Sequence, residues 1–356
     1  MIVALLPQRL WALTGALQQV GALASVFALA YLLTQFLIGF LSDRAGYRTL
    51  LVAGYGTCAV AGLLFHAATD AAQILFARAL QGIGEAPVWT LGPAMLAMLY
   101  PEAPGRAIGR YNAAIHAGLM LGPLAGLILA GDDRGGAAFL AFSGLALLGG
   151  LATLLLLPEP RSARHAEPRP GLPARSASLH FWTRPLTLVL LAGIFLYGSA
   201  YGVFVSVLPV YLGEDLGLGR TATTLYFSLF YAALGLGQYV GGPWIDRLGW
   251  RGFFLAGAGL AAAGLAVVPA STAWLALLPL ALASAGLGLL GVAGIVALNA
   301  TARGMTPGAT SAGFFLFWGS GYALAPLVAA SAPGAIFIAL PAALLVIAVL
   351  LWRRTG

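Results

Sequence analysis

Apolar residues run along this chain in long blocks, each close to the ~20 residues that a helix needs to cross a hydrocarbon core. Short polar segments separate the blocks. The pattern predicts spanning helices near residues 21–41, 49–69, 72–99, 108–130, 136–158, 185–213, 221–242, 252–270, 273–299, 311–331 and 333–352. Residues 1–12 are apolar but too short to cross, so the count is eleven spans and one fragment. Segment 159–184 breaks the pattern. It is rich in Pro, Arg and Ser and reads as a solvated linker, which sets an N-terminal bundle of residues 1–158 before a C-terminal bundle of residues 185–356.

Composition agrees with a polytopic all-α membrane protein. Of 356 residues, 60% are hydrophobic and 8% charged, where soluble domains carry about 25% charged residues. That excludes a soluble globular chain, a disordered chain and a nucleic-acid binder. The single Cys58 excludes a disulfide framework and a thiolate metal cluster. All 18 basic residues are Arg, and they sit mainly between the apolar blocks. Fourteen of them fall on one side of the predicted topology and three, Arg9, Arg134 and Arg220, on the other. The positive-inside rule makes the richer side cytoplasmic, together with the linker and the C-terminus. A bacterial inner membrane is the expected location.

The sequence repeats itself. Residues 39–48 read GFLSDRAGYR and residues 242–251 read GPWIDRLGWR, an offset of 203. Residues 117–126 (AGLMLGPLAG) and 320–329 (SGYALAPLVA) share that offset, and Gly82 and Gly84 match Gly286 and Gly288 at 204. Two parallel repeats of about six helices follow, a plan used by secondary transporters. Leu6-Pro7 then corresponds to Leu208-Pro209, which places the start of the first helix roughly 17 residues before Met1. The expectation is a first helix truncated at its N-terminus, with a start codon assigned too far downstream as the simplest cause.

These motifs carry a family resemblance. Gly39, Asp43, Arg44, Gly46 and Arg48 resemble the loop 2–3 signature of the major facilitator superfamily, and Asp246, Arg247, Gly249 and Arg251 repeat it. Arg78-Ala-Leu-Gln81-Gly82-Ile-Gly84 resembles that superfamily's fourth-helix motif. Gly109, Gly118, Gly122, Pro123 and Gly126 resemble its fifth-helix motif, with Leu127 in place of the final Gly. The resemblance implies the major facilitator fold, alternating access and, from the fifth-helix motif, an exporter similar to drug:proton antiporters. It implies no cofactor.

Elementary chemistry suits each motif. Gly46 permits a tight turn. An Asp beside a helix N-terminus is favoured by the helix dipole, and Arg44 and Arg48 can fork onto carboxylates or carbonyls. Contacts formed only when the cytoplasmic side is shut would bias a two-state equilibrium and act as a gate; the plainer reading is that these Arg residues mark topology. Gly118, Gly122 and Gly126 fall four apart and form a smooth stripe for close backbone approach, while Pro123 removes a helix hydrogen bond. Sealing the cavity and plain helix packing both fit that stripe.

Ionisable residues deep in the spans are expensive and point to function. Arg78, Glu85 and His116 are the clear ones. Arg78 and Glu85 share one helix face about 10.5 Å apart along the axis, with Gln81 between them, so Gln81, water or a ligand could close the gap. The equivalent helix has Leu282 and Leu289 at those positions, and Gly319 replaces His116. A substrate and proton pathway through Arg78, Gln81, Glu85 and His116 is therefore expected, against the plainer alternatives of a buried structural pair and of a His that orients its helix. Tyr197, Tyr201, Tyr226, Tyr231, Gln238, Tyr239, Trp318 and Tyr322 are candidate cavity residues from the second half, and are equally ordinary interface anchors.

The leading expectation is a monomeric secondary transporter in the lipid bilayer that exports a small amphipathic or drug-like molecule in exchange for protons. An importer or uniporter of a metabolite is the alternative, and a non-transporting membrane sensor is a poor third. No Ser-His-Asp set, metal cluster or phosphate loop suggests an enzyme.

Overall fold

The structure is a computed structural model. It describes residues 6, 9, 10, 13, 14, 17–129, 136–158, 181–208, 211–212, 216–217, 220–302, 305–331 and 333–355. The long helices are α1 (Leu17–Ala45), α2 (Tyr47–Ala67), α3 (Ala71–Leu99), α4 (Pro104–Leu129), α5 (Gly136–Leu156), α6 (Pro185–Ser206), α7 (Arg220–Leu248), α8 (Trp250–Val267), α9 (Leu277–Thr301), α10 (Pro307–Ser331) and α11 (Ile336–Thr355). Short 3₁₀ turns lead into α9 and α11, and no strand occurs among the described residues. Most of the expected linker, residues 159–180, lies outside the described residues, as does most of the apolar fragment before α1.

Among the described residues, six helices are long and apolar enough to cross a membrane by length and composition alone: Tyr47–Ala67, Gly136–Leu156, Pro185–Val205, Trp250–Ala270, Trp274–Thr301 and Ile336–Arg353. The candidate site residues lie mainly on α3, α4, α7 and α10, with Tyr197 and Tyr201 on α6. The faces turned outward are oily. On α5, Leu155 and Leu156 are 70% and 78% exposed, a surface suited to lipid and not to water.

Both repeat motifs fold the same way. Gly46 adopts φ 87° and ψ 149° as the N-cap of α2, and Gly249 adopts φ 85° and ψ 158° as the N-cap of α8. Each N–H closes the helix before it, Gly46 onto Ser42 O and Gly249 onto Ile245 O. Only glycine takes this backbone without strain. The sequence expectation of a polar loop over residues 42–48 is corrected here: α1 runs to Ala45 and α2 starts at Tyr47, so the motif is helical apart from Gly46. One residue makes the whole connection.

Close glycine contacts set the helix register and revise the internal alignment. The α-carbon of Gly84 faces Gly54 O and Cys58, and that of Gly286 faces Gly257 O and Ala261. Gly54 and Cys58 match Gly257 and Ala261 at offset 203, so α3 aligns with α9 at 202 rather than 204. Glycines sit at these crossings because a Cβ would strike neighbouring backbone. Arg78, Gln81 and Glu85 therefore correspond to Leu280, Ala283 and Leu287, not to positions two residues later. Leu280 and Leu287 are both buried.

Close packing divides the chain into two units. One comprises Met1–Met95, Leu121–Glu167 and Ser311–Gly313; the other comprises Leu96–Met120, Pro168–Thr310 and Phe314–Gly356. In the first, α2 lies against α5, with Ser143 Oγ donating to Ala59 O at 2.9 Å. Leu6, Leu10, Leu23, Phe65, Ile74, Ala77 and Phe139 form its core beside these helices. Arg9 donates to Phe65 O at 2.5 Å and to Ala68 O at 2.7 Å, so it closes the carbonyl end of α2. In the second unit α9 lies between α8 and α7, packed through Gly257, Gly286 and Gly288.

Candidate functional site

The first unit holds a polar chain along one face of α3. Arg78 Nη1 donates to Gln81 Oε1 at 2.6 Å, and Gln81 Nε2 donates to Glu85 Oε1 at 2.7 Å. Spacings of three and four residues place these side chains on one stripe, and the tilt of helix side chains toward the N-terminus brings each to the one before it. Gln81 thus fills the gap between the two charges. Arg78 also donates from Nε to Leu23 O at 3.3 Å and lies over the Phe27 ring at 4.3 Å. Phe27 was not anticipated; an aromatic one helix away leaves no mark in the local sequence. Gln81 is buried, while Arg78 and Glu85 are partly buried. A cation held by a ring, a carbonyl and an amide keeps its charge at modest desolvation cost. The carboxylate at the far end of the chain is thereby coupled to it through the amide.

Gln35 is a buried polar residue the sequence reading missed. It is fully buried on α1, donates from Nε2 to Ala86 O at 3.3 Å and accepts a bond from the Thr90 hydroxyl, so it staples α1 to α3. Its counterpart at offset 203 is Gln238, so the repeat itself carried the signal.

The second unit holds an aromatic cluster. His116 of α4 is buried, and its Nδ1 lies 2.7 Å from Asn112 O on the same helix. Its ring is 6.2 Å from the rings of both Tyr201 and Tyr231. Gln238 interacts with the His116 imidazole and with the Tyr197 hydroxyl. Trp318 lies 5.3 Å from Tyr201, 6.3 Å from Tyr197 and 5.4 Å from Tyr322, with which it stacks. Glycine seams fix the helices that present these rings. A Cβ on Gly198 would strike Trp318 O, and one on Gly202 would meet Tyr322 O at 2.5 Å. Tyr197, Tyr201, Gln238, Trp318, Tyr322 and His116 are thus brought together, with Tyr231 among them. Two candidates fall outside. Tyr226 is buried and donates its hydroxyl to Phe204 O at 2.7 Å, tying α7 to α6. Tyr239 is 52% exposed, about 100° round α7 from the buried Gln238.

The gate candidates separate into contacts and surface charges. The Asp246 carboxylate accepts from the Gly105 and Arg106 N–H groups, each at 2.7 Å. It caps the open N-terminus of α4, where the helix dipole favours an anion. Gly105 and Gly242 touch through backbone there, and Gly109 lies against Gln238 O. Arg48 donates to Leu157 O at 3.3 Å, past the end of α5. Arg44 is exposed, and Arg247 and Arg251 are exposed over Trp244 and Trp250 at 5.8 Å and 5.6 Å. The side-chain surroundings of Gly39 and Asp43 lie outside the described residues.

The fifth-helix glycine stripe needs correction. A Cβ on Gly118 would meet nothing within 4 Å among the described residues, so none of their backbone approaches there. The close approach is made instead by Gly105 and Gly109, within the first two turns of α4, because they face α7. Gly122 is partly buried, and α4 continues as helix through Pro123 and Gly126, whose surroundings lie outside the described residues.

The sequence profile of the Major Facilitator Superfamily matches residues 1–226 and 190–356. The chain belongs to the major facilitator superfamily. It is 31% identical over 278 residues to the class C tetracycline resistance protein of Escherichia coli, covering 76% of this chain and 69% of that one. It is 34% identical over 145 residues to the synaptic vesicular amine transporter of Mus musculus, covering 40% of this chain and 28% of that one, so the match spans under a third of that relative. Among solved structures, the fucose:proton symporter of E. coli has a TM-score of 0.80 at 17% identity, covering 100% of this chain and 95% of that one. A proton:xylose symporter has a TM-score of 0.81 at 14% identity, covering 100% and 92%. The fold is therefore that of a major facilitator transporter, a multi-pass helical membrane protein and not an enzyme.

Proposed function

We propose that this major facilitator protein exports a small amphipathic, drug-like molecule in exchange for protons. Glu85 is the proton carrier. Opened to the outer side it takes a proton, and opened to the cytoplasm it loses the proton to an incoming polar or cationic substrate that competes for the carboxylate. Arg78 and Gln81 hold the carboxylate in place. The observation that carries this reading is the Arg78–Gln81–Glu85 chain on a helix whose twin has Leu280, Ala283 and Leu287. Equivalent packing is achieved without ions, so the fold does not require them.

Export as the direction is supported by the fifth-helix motif and by similarity to a protein named for tetracycline resistance. The protein acts as a monomer in a bacterial inner membrane, with residues 159–184 joining bundles 1–158 and 185–356 on the cytoplasmic side. The gate is formed by Asp246 at α4 and by the matching motif at Asp43.

The test uses proteoliposomes loaded by an imposed pH gradient, with tetracycline and tetraphenylphosphonium as probes and a pH-sensitive dye to follow protons. Wild type moves a probe and releases protons together. Glu85→Gln keeps an acceptor for Gln81 and so retains the fold, yet loses gradient-driven movement. Full proton coupling in that variant would falsify the proposal.

A further inference from the structure

Three of the helices long and apolar enough to span a membrane meet in the second unit: α6, α8 and α11. A Cβ on Gly193 of α6 would strike the Phe254 ring of α8 at 2.5 Å and meet Ile347 of α11 at 3.2 Å, so the three helices touch at one level. Successive helices alternate in direction, so α6 and α8 begin, and α11 finishes, at the same end of this junction. Each carries an exposed Arg at that end: Arg184 just before α6, Arg251 in the first turn of α8 and Arg353 in the last turn of α11. Counted from the junction, Arg251, Arg353 and Arg184 lie about 4.5, 9 and 13.5 Å along the helix axes. Long Arg stems run along apolar surface and bridge such a stagger, so the guanidinium groups can gather at one depth.

These positions go beyond what topology demands. The positive-inside rule needs basic residues near the span ends, on any face. Here Leu188 N–H closes the first turn of α6 onto Arg184 O, which sets Arg184 one turn from the exposed Leu188. Arg353 is likewise one turn from the exposed Val349 on α11. Both Arg residues therefore continue apolar stripes that face outward. Trp352 is 66% exposed beside Arg353, and Arg251 lies over the Trp250 ring at 5.6 Å. Trp at a span end sits at headgroup level. No Asp or Glu occurs in α6, α8 or α11. Asp246, the nearest carboxylate to Arg251 in sequence, is taken by the start of α4. In the other unit the sixth helix of the repeat, α5, closes on the uncharged Thr153–Leu156, so the fold does not require charge at this level.

We propose that this corner of α6, α8 and α11 holds the phosphate of an anionic phospholipid, whose acyl chains lie along the outward faces of α6 and α11. Guanidinium groups fork onto phosphate oxygens. The exposed Leu188, Val346 and Val349 receive the chains. A net negative headgroup gains attraction from each nearby basic residue. A zwitterionic headgroup brings its own cation, which three Arg residues repel. A soluble phosphate has no chains and leaves the apolar half of the site uncovered, so the occupant is a lipid and not an inorganic anion.

The test is native mass spectrometry of the purified full chain in detergent, with phosphatidylglycerol and phosphatidylcholine of the same acyl chains added at equal concentration. Wild type retains phosphatidylglycerol over phosphatidylcholine by about tenfold. Arg184→Gln, Arg251→Gln and Arg353→Gln together bring that ratio close to one. Arg44→Gln, Arg106→Gln and Arg110→Gln together remove the same charge from exposed Arg residues elsewhere and keep the preference. Excess inorganic phosphate leaves the lipid in place. Thermal unfolding checks that each variant is folded. If the site triple does not fold, Arg184→Gln and Arg353→Gln decide singly, each lowering the ratio about twofold. The proposal is overturned if wild type retains both lipids equally, if the preference survives in the site variants, if the control triple loses it to the same extent, or if inorganic phosphate displaces the lipid.

Discussion

Asp246 offers the sharpest quantitative test of how the cytoplasmic motif works. Its two oxygens take the Gly105 and Arg106 N–H groups at 2.7 Å each, the first amides of α4. Asp246→Asn keeps one acceptor oxygen and turns an NH₂ toward the other amide. One charge-assisted bond is lost, worth about 1.5 kcal/mol at a partly exposed site, together with about 0.5 kcal/mol of charge–dipole attraction. The cap therefore weakens by about 2 kcal/mol, a factor of about thirty in the opening equilibrium. Hydrogen–deuterium exchange of the peptide containing residues 104–110 reads this directly. Exchange at Gly105 and Arg106 should accelerate by about that factor, while α8 and α9 keep wild-type protection. Unchanged exchange would mean that the carboxylate does not hold the end of α4. Acceleration spread across the whole unit would mean that Asp246 supports the fold and is not a local latch.

Three further outcomes follow from the packing. Replacing Arg78, Gln81 and Glu85 together by Leu, Ala and Leu, the residues of the twin helix, should leave thermal stability near wild type and abolish gradient-driven transport; Gln81→Leu alone, which breaks the chain between the charges, should lower stability by about 3 kcal/mol. Gly109→Ala drives a methyl into Gln238 O and should cost about 1–3 kcal/mol of stability, whereas Gly118→Ala, which meets open space, should be neutral or gain up to about 1 kcal/mol in thermal unfolding. Gly249→Ala should cost about 1–2 kcal/mol from its backbone alone, since nothing lies within reach of the added methyl; an unchanged melting temperature would contradict the strain argument.

The helices and the repeat were legible because lipid imposes long apolar runs and a duplicated motif keeps its spacing. Gly46 and Gly249 were readable as turns for the same reason: a positive φ leaves a glycine in the sequence. Other features were hidden because their partners are remote in the chain. The Asp246 cap lies 140 residues from α4, and only three-dimensional packing reveals which helix end it meets. The glycines of α4 were misjudged because a stripe shows where a helix is smooth but not whether anything lies against it. Gly118 faces open space, while Gly105 and Gly109, outside the recurrent spacing, make the contact. The register of α3 against α9 slipped by two residues because Gly82 and Gly84 match Gly286 and Gly288 by letter. The backbone contacts of Gly54 and Gly257 pair Gly84 with Gly286 instead.

The two amides at Gln35 and Gln238 show what a second copy of a fold makes possible. In one copy the amide fastens α1 to α3, and in the other it meets an imidazole and a phenol, so the same position serves two different surroundings. Gene doubling here supplies more than symmetry: it lets one side chain keep its place in the frame while its neighbours change.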